Sequence, residues 1–240
     1  MLILSVLWRT TNEEEDCNLS GSSRLRLHVH PGTSGLAPHM ALLAAGAVFE
    51  VRTIDLFAGE GRTHAFQRLN PFGTVPVLED GAAAIPETGA ILLHVAERFP
   101  DAGMLPHGGA DRAQALRWLF HVAALHADFM TWRRASLALR EDQHAMGATQ
   151  AWMARRLAEA FRTVERAMDG PFLVGTRAGP ADFYLLMVAG WWRTRFDFAA
   201  ETPQLAAYLE AMTDNPSVRG AYEAQGSSVP KFLAATTPVS

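Results

Sequence analysis

Hydrophobic and polar side chains alternate at two places near the start of the chain. The alternation has a period of two over residues 25–30 and again over 48–56, and this spacing predicts two strands that each bury one face. Residues 36–47 between them are rich in Ala and Leu, which predicts a helix. A strand–helix–strand unit of this kind places its two strands parallel in one sheet.

Short elements continue up to about residue 100. Asp80-Gly81 is a strong hairpin signal, so the strands before and after it are predicted to be antiparallel. In chain order, we expect a helix near 64–69, strands over 75–79 and 82–85, and a helix from Pro86 to Arg98.

Only helical spacing is present from about residue 111 to residue 225. Pro180, Pro203 and Pro216 stand where proline is favoured, near the first turn of a helix. The expected helices are 111–140, 144–168, one from Gly179 to Trp192, and two more that begin near Pro203 and Pro216.

The pattern therefore predicts an α/β domain followed by an all-α domain. In order, the expected segments are an N-terminal extension over 1–24, the α/β domain over 25–100, a Pro- and Gly-rich linker over 101–110, the helical domain over 111–226, and a polar tail over 227–240.

Composition and charge exclude several classes of function. The chain has 240 residues and a formal net charge of −4 at pH 7, which disfavours bulk nucleic-acid binding and a polybasic membrane surface. No apolar run approaches the roughly 20 residues of a transmembrane helix, and no basic region typical of a signal peptide precedes the first apolar run. We therefore expect a cytoplasmic protein without nucleic-acid or membrane partners.

Disulfide and metal chemistry are also disfavoured. The single cysteine, Cys17, rules out an internal disulfide and a cysteine-rich zinc site. It lies in the extension, for which a regulatory arm and a disordered tail are both open interpretations. His28 and His30 share one strand face, but no carboxylate or cysteine stands out as a further ligand. We predict structural histidines and no metal site.

Four short motifs occur in order along the chain. They are Pro31–His39 (PGTSGLAPH), Asn70–Leu78 (NPFGTVPVL), Pro86–Ile91 (PETGAI) and Gly179–Leu185 (GPADFYL). Together they resemble the glutathione S-transferase family, most closely its bacterial beta class, over about residues 25–226. The resemblance implies a thioredoxin-like α/β domain, an all-helical second domain, and glutathione as co-substrate.

The first motif contains two hydroxyls, Thr33 and Ser34, where the first strand turns into the first helix. The resemblance implies that one of them, and we favour Ser34, donates to the sulfur of glutathione and stabilises its nucleophilic thiolate. Ser34 stands where the beta class commonly has a cysteine, which favours conjugation over mixed-disulfide chemistry. The family's usual tyrosine in the first strand is missing, since Val29 stands near its place. The alternative is that both hydroxyls only cap the helix.

The other motifs imply the remaining glutathione contacts. Val75 would bind the cysteinyl backbone beside a cis Pro76, while Glu87 and Thr88 would bind the γ-glutamyl ammonium and carboxylate. His126, in the first long helix, resembles a beta-class histidine near the glutathione site, although its neighbours depart from the family pattern. A structural Xaa-Pro bond, a threonine cap and a packing histidine are the respective alternatives.

The reaction that the resemblance implies is attack of the Ser34-stabilised thiolate on a small apolar electrophile held against the helical domain. Reduction, dehalogenation, isomerisation or peroxide removal with glutathione is the first alternative. A non-catalytic binding or stress module on the same fold is the second. The resemblance also implies a homodimer in which the first domain of one subunit packs against the helices of the other.

Overall fold

A four-stranded sheet organises the first part of the protein, of which a computed structural model describes residues 24–233. The elements are β1 (Leu25–Val29), α1 (Leu36–Ala44), β2 (Phe49–Thr53), α2 (His64–Leu69), β3 (Val77–Asp80), β4 (Ala83–Pro86) and α3 (Thr88–Arg98). The strand order is β2-β1-β3-β4, with β1 parallel to β2 and antiparallel to β3, and with β3 and β4 antiparallel. This arrangement is a thioredoxin-like domain.

The two faces of the sheet bury different side chains. Leu27, at the centre of β1, is fully buried in the main core together with α1 and α3. On the opposite face, Ile54, Phe66 and Val77 form a smaller cluster under α2. The alternation along β1 directs Leu25, Leu27 and Val29 into the main core, whereas the smaller cluster takes its residues from other segments.

Helices make up most of the remaining described chain. They are α4 (Gly109–Ala138), α5 (Gln143–Ala167), α6 (Pro180–Trp192), α7 (Phe198–Glu201), α8 (Pro203–Met212) and α9 (Pro216–Ala224). α4 packs against α5, and α6 contacts α4 as well as α1 and α3 of the first domain. Every residue of α6 except Trp191 is buried, as expected for a helix that is apolar on all sides.

None of the helices between residues 24 and 233 combines the length and the apolar character that crossing a membrane requires.

The predicted fold class is confirmed, and most predicted elements are present. The strand expected from residue 75 begins only at Val77, because Pro76 has no N–H to donate to a ladder. Helix α4 begins at Gly109, inside the segment 101–110 that was expected to be a linker, and the short helix α7 was not expected. Both differences concern element ends and short elements, where local sequence signals are weakest.

The expected extension over 1–24 lies outside the described residues except for Arg24, as does the end of the expected tail over 227–240. The domain boundaries at 25–100 and 111–226 stay predictions.

Asp182 fixes the start of α6. Its buried carboxylate accepts the backbone N–H of Gly179 at 2.8 Å, the N–H of Leu173 at 2.9 Å, and the hydroxyl of Tyr208. Gly179 precedes α6, where a residue with a capping side chain would be usual. A Cβ at this position would lie 2.6 Å from the carbonyl oxygen of Met104, so only glycine fits. Burial raises the pKa of Asp182. One carboxylate therefore ties α6 to α8 and to the loop before α6.

We expect Asp182→Ala to lower the free energy of unfolding by at least about 3 kcal/mol, because three donors lose their acceptor. Asp214→Ala is the control, since Asp214 is exposed and pairs with Arg219 at the surface; it should change stability by no more than about 0.5 kcal/mol. Urea unfolding measures both variants. Equal stability of the two would contradict this role of Asp182.

Candidate functional site

The turn between β1 and α1 contains the two candidate hydroxyls. Thr33 Oγ1 donates to the His30 carbonyl oxygen at 2.6 Å, so the hydroxyl proton of Thr33 is already used in a hydrogen bond within the turn. The residue that caps α1 is Gly35, and no side chain caps this helix. The alternative that Thr33 and Ser34 serve only as helix caps is therefore wrong, and Ser34 has the hydroxyl that the turn leaves available.

Gly35 and Val29 bring this turn close to the sheet. A Cβ at Gly35 would lie 2.5 Å from Val29 Cγ1, so only glycine allows the approach. Val29 is buried in the main core under the turn. The three tyrosines of the sequence lie in α6, α8 and α9. Because β1 has no tyrosine, a hydroxyl of the turn is the local candidate for contact with a thiol.

The Ser34 hydroxyl faces the segment that precedes β3. Its Oγ lies 3.5 Å from the Val75 carbonyl oxygen, and the Val75–Pro76 peptide bond is cis, as expected. The ladder of β3 begins at Val77. The Val75 carbonyl therefore lies beside Ser34, and Val75 precedes the ladder of the sheet.

The buried side chain of Asn70 fixes the turn before this segment. Its Nδ2 donates to the Thr74 carbonyl oxygen at 2.7 Å, and its Oδ1 accepts the N–H of Phe72 at 3.1 Å. A Cβ at Gly73 would lie 2.5 Å from the carbonyl oxygen of Gly61, so the turn also packs closely on the loop after β2. The Asn and Gly of the second motif are thus explained by local geometry.

The N-terminus of α3 completes the site. Thr88 is 3% exposed, and its Oγ1 lies 3.5 Å from the carbonyl oxygen of Ser34. The first turn of a helix has N–H groups without intrahelical partners, and here it lies next to Ser34. We call the meeting point of Ser34, Val75, Pro76 and Thr88 the Ser34 corner.

Glu87 lies at the margin of the Ser34 corner. Its φ of 78° is a left-handed conformation, which costs a non-glycine residue on the order of 1–3 kcal/mol. Such strain is often kept where a site needs it. The side chain of Glu87 is exposed, so its carboxylate is accessible to a ligand.

Tyr184 connects His126 with the start of α3. Nδ1 of His126 lies 2.8 Å from the hydroxyl of Tyr184 in α6, and a Cβ at Gly89, in the first turn of α3, would lie 3.9 Å from Cε1 of the same tyrosine. Burial, and secondarily the positive charge of Arg134, lowers the pKa of His126 from 6.5 to about 4. The ring is therefore neutral at pH 7, and Tyr184 lies between it and the start of α3.

Tyr184 is the residue of this site that sequence reasoning missed. It lies within the fourth motif, in a helix so apolar that packing alone explained it. A buried tyrosine hydroxyl needs a partner, which is the signal that the sequence offers. The identity of that partner was not accessible, because His126 is 58 positions away along the chain.

Aromatic side chains lie beside His126. The ring of Trp191 is 5.4 Å from the His126 ring, and Phe129 stacks on Trp191 at 5.1 Å. Trp132 continues this group, with the Arg195 guanidinium 4.5 Å from its ring centre. Trp132 and Trp191 are only half-buried, so they leave aromatic surface accessible near His126.

The two histidines of β1 have protein partners. His28 Nε2 lies 2.6 Å from the Glu79 carboxylate, a partner that sequence reasoning did not identify, and His30 Nδ1 lies 2.9 Å from the Ile54 carbonyl oxygen. Between residues 24 and 233, no three His, Cys, Asp or Glu side chains are grouped so that they could hold a metal ion. These contacts fit structural histidines.

The neutral state of His126 makes stability depend on pH. Its pKa in the folded protein is below its ordinary value of 6.5, so the stabilisation is complete above pH 6.5 and is lost as the pH falls towards 4. Lowering the pH from 8 to 5 should reduce the free energy of unfolding by about 2 kcal/mol through this ring alone. His39, whose pKa burial also lowers to about 4, should remove a similar amount.

Urea unfolding at pH 8 and pH 5 measures this effect. His126→Asn should reduce the pH dependence of stability by about 2 kcal/mol. His144→Asn, at an exposed position of α5, should leave it unchanged. The same pH dependence in the wild type and in His126→Asn would contradict a desolvated, neutral His126.

Comparison with known proteins identifies the family. A sequence model of the glutathione S-transferase N-terminal domain matches residues 23–97. A glutathione S-transferase of Xanthomonas campestris pv. campestris is 28% identical over 210 residues, which are 84% of this chain and 99% of that protein.

Solved structures extend the likeness to both domains. A sphingomonad glutathione S-transferase in complex with glutathione is 30% identical, with a TM-score of 0.70 over 85% of this chain and 100% of that one. A bacterial beta class glutathione S-transferase of Sphingomonas chungbukensis is 27% identical, with a TM-score of 0.68 over 85% and 100%. The chain belongs to the glutathione S-transferase family.

Proposed function

We propose that the protein is a cytoplasmic glutathione transferase that joins the thiolate of glutathione to small apolar electrophiles. The observation that supports this most strongly is the Ser34 corner, where an available hydroxyl at the start of α1 lies between the backbone of Val75 and the N-terminus of α3. A thiol co-substrate also suits the reducing cytoplasm.

Activation of the sulfur is the first task of such an enzyme. A free thiol has a pKa of about 8.5, so only a few per cent is thiolate at pH 7. Lowering the pKa by two units requires about 2.7 kcal/mol. A hydrogen bond from Ser34 to the sulfur anion contributes about 1.5–3 kcal/mol, and the N-terminus of α1 contributes about 0.3–1 kcal/mol. The two together are sufficient.

Orientation of the tripeptide is the second task. The N–H and carbonyl of Val75, which precede the β3 ladder, suit the cysteinyl backbone of glutathione. Thr88 and the first turn of α3 suit the γ-glutamyl carboxylate, because a helix N-terminus favours an anion. The exposed Glu87 carboxylate suits the ammonium group of the same residue. In this pose the sulfur lies beside Ser34, so that proximity adds to thiol activation.

The second substrate in this proposal is apolar. The half-buried rings of Trp132 and Trp191 near His126 offer it aromatic surface, and binding there removes apolar area from water. Ser34 cannot form a mixed disulfide, and residues 24–233, which include all residues of the Ser34 corner, contain no cysteine. Conjugation is therefore favoured over reduction through a protein thiol.

We expect Ser34→Ala to lower kcat/KM for glutathione and chlorodinitrobenzene by about 10- to 150-fold, because the variant loses a hydrogen bond to an anion. The pH profile of kcat/KM reports the pKa of the bound thiol. This pKa should lie below that of free glutathione in the wild type and move towards it in Ser34→Ala.

Two further variants make this measurement specific. Thr33→Val should lose stability and keep the thiol pKa, because the Thr33 hydroxyl donates to His30. Ser136→Ala removes a hydroxyl on the exposed side of α4 and should change neither property. An unchanged rate and thiol pKa in Ser34→Ala would refute the mechanism, and failure of the wild type to bind immobilised glutathione would refute the function.

We also propose that the protein acts as a homodimer. Large apolar side chains are exposed on both domains, and Phe72, before β3, is 82% exposed. Phe57 is exposed on the first domain, and Phe120, Leu137 and Trp152 are exposed on α4 and α5. Exposed apolar side chains of this size are typical of interfaces. Contact between the first domain of one subunit and the helices of the other would bury both sets.

Light scattering at micromolar concentration should give the mass of two chains. Phe72→Asp and Phe120→Asp should each shift the protein towards the monomer, because a carboxylate would be buried without a partner. Leu233→Asp, at an exposed position near the end of the described chain, should leave the dimer intact. A monomeric wild type would contradict the proposal.

A further inference from the structure

The aromatic surface beside His126 continues along α4 to two arginines. Three later residues of α4 share the face of His126, because they follow it by three, seven and eight positions. They are Phe129, Arg133 and Arg134. Trp191 of α6 packs on the start of this face, 5.4 Å from the His126 ring and 5.1 Å from the Phe129 ring. The two arginines therefore lie about one helical turn beyond the aromatic group.

A third guanidinium lies at the same end of this surface. Arg195, in the segment after α6, lies over the ring of Trp132 at 4.5 Å from its centre. The Trp132 ring is in turn 6.1 Å from the Phe129 ring. A guanidinium has five N–H donors, and one of those on Arg195 donates to the Thr194 hydroxyl at 3.3 Å. Arg195 is thus held at the aromatic surface with further donors available.

The arginine rim, as we call Arg133, Arg134 and Arg195, is not neutralised by acidic side chains. All three residues are exposed, and within residues 24–233 no ion pair joins any of them to a carboxylate. The nearest carboxylates along the chain have other partners, since Asp128 pairs with an arginine of α5 and Asp197 caps α7. Three positive charges at one end of an aromatic surface attract an anion.

We propose that the arginine rim selects electrophiles that carry a carboxylate at the end opposite to the reacting carbon. The inference rests on the proposed function and narrows its second substrate to an aromatic acid with a leaving group on the ring. The ring of this substrate lies against Trp191, and its carboxylate lies at the rim. Arginine suits this task, because its planar guanidinium forms paired hydrogen bonds with a carboxylate.

The order of groups along α4 sets the orientation of such a substrate. A rise of 1.5 Å per residue places Arg133 and Arg134 about 10 to 12 Å beyond His126 along the helix axis. His126 itself is connected with the start of α3, at the Ser34 corner, through Tyr184. The rim is therefore at the far end of the surface, and a carboxylate bound there directs the other end of the molecule towards the glutathione sulfur.

The reaction with such a substrate is a substitution on the ring. The thiol proton has already gone to water when the thiolate forms. The sulfur then forms a C–S bond at the ring carbon that carries chlorine, the C–Cl bond breaks, and chloride leaves with the electron pair. The carboxylate takes no part in these steps, so the rim acts on binding and orientation.

Two chlorinated probes that differ in charge test the proposal. Chlorodinitrobenzoate, with chlorine para to the carboxylate, is anionic, and the corresponding chlorodinitrobenzamide is neutral and of similar size. Each kcat/KM, measured at saturating glutathione, is divided by the rate constant of the uncatalysed reaction, which corrects for the different reactivity of the probes. This ratio should be at least about 10-fold higher for the benzoate in the wild type, and added salt should reduce the difference.

Variants that remove charge assign this preference to the rim. The double variant Arg133→Gln/Arg134→Gln should lower the benzoate ratio about 5- to 25-fold, and Arg195→Gln should lower it about 2- to 5-fold, because each exposed ion pair contributes up to about 5-fold. Both variants should keep the benzamide ratio within about 2-fold of the wild type, which also shows that they fold and bind glutathione.

Arg117→Gln is the matched control. Arg117 is also an exposed arginine of α4 that lies over an indole ring, 4.3 Å from the centre of Trp118. It precedes His126 by nine positions and so lies away from the rim. This variant should keep both ratios at the wild-type values.

The outcomes separate this inference from the proposed function. Equal ratios for the two probes in a wild type that conjugates both would overturn the inference alone. A preference for the benzoate that persists in the rim variants would overturn it as well, and so would an equal loss for both probes, since the rim would then not act on the carboxylate. A wild type that conjugates neither probe would overturn the proposed function, and the inference with it.

Discussion

Ser34 is the contact point of three segments that are far apart in the sequence. Its hydroxyl reaches the Val75 carbonyl and its own carbonyl is reached by Thr88, both at 3.5 Å. These distances are long for hydrogen bonds, so a ligand with better donors and acceptors replaces them at little cost. The neighbouring features serve this contact, since Gly35 lets the turn approach the sheet and Asn70 holds the turn before Val75.

Helix α6 of the helical domain packs against α1 and α3, the two helices whose N-termini lie at the Ser34 corner. The first turn of this helix contains Asp182, which satisfies three buried donors, and the same turn brings Tyr184 against the start of α3. Stability and site geometry therefore depend on neighbouring residues of one helix. The side chains of Asp182 and Tyr184 meet polar partners from other elements, as the cost of an unsatisfied buried group requires.

Local signals were sufficient for much of the fold, whereas the residues of the Ser34 corner were predicted through the resemblance to a known family. Period-two alternation predicted β1, proline predicted the starts of α8 and α9, and the family motif around Val75-Pro76 indicated the segment that lies beside Ser34. Contacts between elements that are distant in the sequence could not be predicted from such local signals. The commitment of Thr33 to a backbone carbonyl and the pairing of His126 with Tyr184 depend on how whole elements pack, and a single sequence records that only indirectly.

The proposed chemistry requires that Ser34 stabilise the sulfur of bound glutathione. A crystal structure of the protein in complex with glutathione near pH 7 would show whether it does. We predict the cysteinyl sulfur within about 3.5 Å of Ser34 Oγ, with the cysteinyl backbone bonded to Val75 and the γ-glutamyl carboxylate on Thr88. A sulfur turned away from Ser34, or glutathione bound elsewhere, would contradict the claim.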